Sequence, residues 1–149
     1  MTLSPIRRKA IDGLEAGDIF VLERTFTAGD VAAFETISRD RNPVHSSPAF
    51  AAAKGFDRPI CHGLLVASLL TEIGGQLGWL AAGMDLKFRR PVYPGEAISC
   101  RWEITSIAPD RRASAAVLFR NARGEVVLEA TITGRIPVRG ELELEVRDD

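Results

Sequence analysis

The hydrophobic rhythm of the chain changes near its midpoint. In the second half, apolar and polar positions alternate with the period of a half-buried strand. Residues 97–107, 113–121 and 126–136 each read as a long strand, separated by Pro109-Asp110 and by Asn121-Ala122-Arg123-Gly124. A shorter alternating run, 86–92, precedes them and ends before the turn signal Pro94-Gly95. In the first half only 18–26 has this character, being rich in β-branched and aromatic residues. The count is five strands, four of them consecutive.

The rest of the first half follows a helical period. Thr27-Ala28-Gly29-Asp30 has the form of a capping box with Asp in place of Glu, and Val31, Phe34 and Ile37 follow at helical spacing, so 28–38 is a short amphipathic helix. Asp40-Arg41-Asn42-Pro43 ends it, because the residue before a proline is pushed out of the α region. Ser47-Pro48 opens a second small helix over 49–54, which Gly55 closes. Residues 62–76 are apolar on nearly every side, the mark of a buried helix, and fray at Gly74-Gly75 or Gly78. The first 14 residues show little pattern and read as a loosely tied arm. The tail 141–146 alternates like a strand, but its acidity and the end Asp148-Asp149 favour a solvated extension. The expectation is an α+β fold with a sheet of about five strands wrapped around one long buried helix. It forms a single domain over 1–149, with a core at 18–136 and a peripheral arm (1–14) and tail (138–149). Such a sheet buries one face only, and its free edges invite a homodimer.

Composition narrows the function classes. Among 149 residues, 46 % are hydrophobic and 26 % charged, so an ordinary core needs neither metal nor disulfides. Nineteen basic against twenty acidic residues leave a net charge of −1, which offers no global attraction to nucleic acid or to an anionic membrane. No run approaches the roughly 18 apolar residues of a membrane span. Met1 to Lys9 lacks the apolar stretch of a signal peptide, and two cysteines without one point to a reducing, cytoplasmic setting.

Both histidines lie in the irregular region between helices. Asp40 and His45 are five residues apart across Asn42-Pro43, and a tight turn can bring them onto one water as an acid–base pair. The competing reading makes Asp40 a turn cap and His45 a partly buried polar residue. His62-Gly63 stands at the start of the buried helix, where a free N–H and the positive dipole end can hold a developing oxyanion. Alternatively, Gly63 only permits close packing. Ser68 is either a back-bonded core serine or a hydroxyl facing the site. Cys61 beside His62 suggests a nucleophile or metal ligand, yet neighbouring side chains point apart and no third ligand stands at metal spacing. No serine-hydrolase elbow, phosphate loop or dinucleotide fingerprint is present. Arg39, Arg41, Arg58, Lys87, Arg89 and Arg90 flank the region and stay unassigned.

Three stretches together carry a family likeness: Asp40-Arg41-Asn42-Pro43-Val44-His45, Phe50-Ala51-Ala52-Ala53, and Arg58-Pro59-Ile60-Cys61-His62-Gly63-Leu64-Leu65-Val66-Ala67-Ser68. With Phe88 to Glu96 they resemble the MaoC-like dehydratases and (R)-specific enoyl-CoA hydratases over roughly 18–136. That resemblance implies the hotdog fold, usually as a dimer. It implies that Asp40 and His45 activate water, that the Gly63 N–H binds the thioester oxygen, that Asn42 orders the turn, and that His62 and Ser68 support the site. The implied reaction is reversible syn hydration of a trans-2-enoyl thioester to the (3R)-3-hydroxyacyl product. The substrate is an acyl-CoA or acyl-carrier thioester, with CoA as part of the substrate and no separate cofactor or metal. A hotdog thioesterase and a non-catalytic subunit of a heterodimeric dehydratase are the alternatives. The stretch 74–84 is shorter than in medium-chain members, and Trp79 and Leu80 within it are expected to block a long acyl tunnel.

Overall fold

The computed structural model describes residues 2–147. In chain order the elements are α1 (Pro5–Asp12), β1 (Ile19–Thr25), α2 (Ala28–Ser38), a 3-10 turn (Pro43–His45), α3 (Pro48–Ala53), α4 (Gly63–Ala67) and α5 (Leu69–Leu77). They continue with β2 (Leu80–Phe88), β3 (Ala97–Ile107), β4 (Arg112–Arg120), β5 (Val126–Arg135) and α6 (Glu141–Arg147). The strands form one antiparallel sheet in the order β1-β3-β4-β5-β2, with β1 and β2 at its edges. This is the expected α+β hotdog architecture.

Alternation determines which face is buried. In β3, Ile98, Cys100, Trp102 and Ile104 point inward, each no more than 1 % exposed, while Ser99, Arg101 and Glu103 point out. A one-residue slip against β1 or β4 would exchange the two sets, so register is strongly specified. Leu69, Leu70, Ile73 and Leu77 of α5 join the inward faces of the sheet in one core. At its far end, Trp79 meets Trp102 edge-on, with centroids 5.1 Å apart.

Four expectations are corrected. The buried helix is divided at Ser68. There the Leu65 carbonyl accepts both the Ser68 N–H (3.0 Å) and the Ser68 hydroxyl (2.5 Å), a tight 3-10 type turn in place of the α pattern. Ser68 keeps right-handed helical angles, φ −61° and ψ −18°, so the chain carries on from α4 into α5. The strand expected at 86–92 instead occupies Leu80–Phe88. Pairing with β5 sets those bounds, and as an edge strand β2 shows little inward–outward contrast in its sequence.

The segment 1–14 is not a loose arm. Ser4 caps α1 by accepting the Arg7 N–H, Ile6 and Leu14 are buried, and the Arg7 guanidinium donates to the Gly75 carbonyl (2.9 Å) near the end of α5. The described part of the tail is also helical, and Leu142 approaches Gly78. Asp148 and Asp149 lie outside the described residues.

Two predictions follow from these contacts. A Cβ on Gly134 would stand 2.5 Å from Trp79 Nε1 and closer still to the Leu80 carbonyl oxygen. Because backbone cannot swing aside, Gly134→Ala is expected to cost about 1–3 kcal/mol, read as a lower denaturation midpoint.

The second concerns the α2 cap. Asp30 accepts the Thr27 N–H (2.8 Å) while Thr27 Oγ1 accepts the Asp30 N–H (3.1 Å). The Thr27 main-chain bond, with the Thr27 hydroxyl and the Arg24 charge, holds the Asp30 carboxyl below its ordinary 3.8. The folded state therefore binds this proton less readily than the unfolded chain. The stabilisation is complete above the ordinary value and is lost as pH falls through the depressed one. Asp30→Asn should melt below the wild type at pH 7, and the gap should close in acid.

Candidate active site

The site is assembled from three irregular segments. Arg39 ends α2 in the left-handed region (φ 59°), and its N–H closes onto the Glu35 carbonyl, so the chain turns sharply before Asp40. Asp40 Oδ1 accepts the Asn42 N–H, and Asn42 Oδ1 accepts the Val44 N–H, each at 3.1 Å. These bonds fold residues 40–45 into a compact hook, pinned by the buried Val44. Asn42 thus closes the turn with its own side chain.

His45 comes out of this hook with its ring 10 % exposed. Its Nδ1 lies 2.8 Å from the Ile60 carbonyl, which can only accept, so Nδ1 carries a proton and Nε2 is the nitrogen left to face the site. Nε2 lies 3.6 Å from Asp40 Oδ2. That is long for a direct hydrogen bond and suits two groups sharing one water. The Asp40 side chain is 49 % exposed and meets solvent.

His62 completes the cluster. It is 2 % exposed, its ring stacks on that of His45 (centroids 3.7 Å, planes 28° apart), and Phe34 packs on it at 4.9 Å. Its Nε2 donates to the Asp40 carbonyl at 3.1 Å. Ligand atoms of Asp40, His45 and His62 lie within 4.8 Å of one another, as a metal site would need. The stacking argues against that use. Imidazole lone pairs lie in the ring plane, and one ion cannot sit in two nearly parallel planes this far apart. Next in sequence, Gly63 begins α4, and its N–H stands ahead of the first intrahelical bond, Val66 N–H to His62 carbonyl. A Cβ on Gly63 would come 2.6 Å from the Phe88 ring, so glycine is also what lets that ring lie against the helix start.

A model of the MaoC-like domain matches residues 16–122, which takes in the sheet edge, the hook and the helix start. The chain belongs to this family. Among its relatives is an (R)-specific enoyl-CoA hydratase of Aeromonas caviae, 41 % identical over 66 % of this chain and 76 % of that protein. A 3-hydroxybutyryl-CoA dehydratase of Methylorubrum extorquens is 31 % identical over 93 % of this chain and 91 % of its own length. The solved structure of an (R)-hydratase from A. caviae superposes with a TM-score of 0.78 at 35 % identity, covering 84 % of this chain and 98 % of that one.

Other sequence candidates in this MaoC-like domain take quieter places. Ser68 gives its hydroxyl to the Leu65 carbonyl rather than to the Asp40–His45 pair. Burial, followed by the charge of Glu96, pushes the Cys61 thiol up to about 11, so it is no nucleophile at neutral pH. Arg89 pairs with Glu129 (2.9 Å), and Arg90 pairs with Glu125 (3.2 Å). Arg58 lies over the Tyr93 ring and donates to the Pro94 carbonyl. Trp79 is a core residue against Trp102, whereas Leu80 is 73 % exposed on the edge strand and blocks nothing within this chain.

Sequence reasoning missed the Ile60 carbonyl, the imidazole stack, and the rings of Phe34 and Phe88. The helical phase of Phe34 on α2 was the one signal available. The other contacts join segments whose separation carries no periodicity.

Proposed function

We propose that the chain is an (R)-specific enoyl-CoA hydratase, equally a 3-hydroxyacyl-CoA dehydratase, built as one catalytic domain. The observation that carries this reading is His45 Nε2 facing Asp40 Oδ2 across 3.6 Å, beside a helix that starts at Gly63. Homology to hydratases and dehydratases of named specificity supports it.

In this mechanism the trans-2-enoyl thioester lies with its carbonyl oxygen on the Gly63 N–H. Negative charge grows on that oxygen as water adds, so the N–H binds the transition state more tightly than the ground state. Asp40 and His45 hold one water over C3. His45 Nε2 takes a proton from it while the new C3–O bond forms, and the carboxylate of Asp40 steadies the imidazolium. The same proton then passes to C2. Oxygen and hydrogen arrive from one side, which is the syn course, and the reverse path is dehydration. Two free, buried thiols agree with a cytoplasmic setting, and among the described residues no helix is long and apolar enough to cross a membrane.

Hydration of crotonyl-CoA, followed as loss of the enoyl absorbance with chiral analysis of the product, tests the reading. Release of free CoA thiol without hydration would replace it with a thioesterase. Asp40→Asn keeps the hook, since its Oδ1 can still accept the Asn42 N–H, and His45→Ala removes the partner. Each is expected to lower kcat by about 10²–10⁴-fold; Asp40→Asn should leave the melting temperature little changed, whereas His45→Ala should lower it, because it empties the space against His62 and frees the Ile60 carbonyl. The double variant should lose far less than the product of the two. Near-normal hydration in Asp40→Asn with a clearly lowered melt would return the pair to a structural role.

The reading includes a homodimer joined along β2. Leu80, Met84 and Phe88 of this edge strand are 73 %, 46 % and 55 % exposed, and an unpaired edge is a template for a second copy. Phe88 lies against Gly63, so the proposed interface adjoins the site. Light scattering at micromolar concentration should give the mass of two chains, and Met84→Asp should give one. A monomeric wild type would overturn this arrangement.

A further inference from the structure

Within the hydratase reading, on which this rests, we propose that His62 is the positioning residue of the dyad. It fixes the His45 ring through its face and the Asp40 loop through its N–H. The starting observation is an imidazole where packing alone has no use for one. His62 is 2 % exposed, a polar side chain set among the core residues, and its Nδ1 is buried without a hydrogen-bond partner. Burying an unpaired acceptor is unfavourable, and a phenyl ring would fill the same space without it. Helix capping does not account for the imidazole either. His62 occupies the N-cap of α4, yet makes no side-chain capping bond.

Its contacts fall instead on the reacting groups. One nitrogen donates to the Asp40 carbonyl at 3.1 Å, at the point where the chain leaves α2. One face stacks on His45 at 3.7 Å, and Phe34 packs against the ring at 4.9 Å. The Ile60 carbonyl holds His45 by one ring nitrogen. A single hydrogen bond leaves a ring free to tilt about it, and a stacked neighbour removes that freedom. The His62 peptide also runs directly into the Gly63 N–H. One residue therefore ties the carboxylate loop and the imidazole plane, through its side chain, and the Gly63 N–H, through its peptide, to a common frame. A reacting group moved by about 1 Å loses rate on the order of 10²-fold, and His62 prevents displacements of that size.

Two variants separate the contacts. His62→Phe keeps the ring face and removes both the N–H to Asp40 and the orphaned nitrogen. His62→Asn removes the ring and supplies a favoured N-cap side chain, so the fold has a compensating gain. Each is assayed for crotonyl-CoA hydration and for thermal stability, and the His45 Nδ1–H resonance is followed in ¹⁵N-labelled protein. His62→Phe should retain that resonance, melt no lower than the wild type, and lose kcat by about 10-fold with KM little changed. His62→Asn should lose the resonance to solvent exchange and lose kcat by about 10²-fold. Unchanged kcat in both variants overturns the proposal. So does a loss of kcat that tracks a lowered melting temperature while the resonance persists, or a change confined to KM. Absence of hydration in the wild type would instead remove the hydratase reading, and the resonance would still report whether His62 holds His45.

Discussion

The site depends on the carbonyl oxygen of Ile60. Because that oxygen can only accept, His45 must present Nδ1–H to it, and Nε2 is left facing Asp40. The net contribution of such a bond to stability is about 0.5–1.5 kcal/mol; its larger effect is to choose a tautomer. Ile60 is itself held from two sides. Its N–H donates to the Val44 carbonyl, and the next N–H, that of Cys61, donates to the Val92 carbonyl beyond β2. The hook at 40–45, the strand-like crossing at 60–62 and the segment after β2 thus form one braid, and the imidazole is oriented by all three.

The parts of the fold that were legible in the sequence are those whose burial is one-sided. β3, β4 and β5 sit centrally with one face on the core, so alternation marks their ends to within a residue. β2 lies at the edge, and through Ala81, Ala82 and Gly83 it carries no such contrast, so only its pairing with β5 defines it. The N-terminal helix was missed although it has the same Ser-Pro opening at 4–5 that marked α3 at 47–48. The difference lies in what followed. Ala51 of α3 is fully buried in an apolar run, whereas Arg7, Arg8 and Lys9 dilute the apolar face of α1. In the tail, Glu-Leu-Glu-Leu fits a strand period as well as one turn of helix, and the packing of Leu142 toward Gly78 is not written locally.

In the site, legibility followed sequence distance. Asp40, Asn42 and His45 belong to one hook closed by short-range bonds, so spacing alone suggested their meeting. Gly63 was readable because a glycine at the start of an apolar helix has few uses. Contacts that cross from one segment to another were not readable. His62 reaches Asp40 over 22 residues, His45 reaches the Ile60 carbonyl over 15, and Phe88 reaches Gly63 from the far end of β2. Ser68 shows the opposite outcome. Its sequence position allowed a back-bonded core serine or a hydroxyl facing the site, only the family likeness implied the second, and the backbone bond is the one formed.

Across the site, exposure falls in steps. The Asp40 side chain is half in water, His45 shows only an edge, and His62 is sealed beneath it. This order matches the chemistry each position has to support. In the proposed mechanism the carboxylate meets water, whereas an imidazole that takes a proton must expose one nitrogen and have the other fixed. Phe88 extends the same logic beyond the protomer. Its ring lies against Gly63, whose N–H the proposed mechanism gives to the thioester oxygen, and its strand is the unpaired edge of the sheet. In the proposed homodimer the strand paired with β2 would therefore also set how Phe88 rests on Gly63, so assembly and carbonyl polarisation would share one side chain.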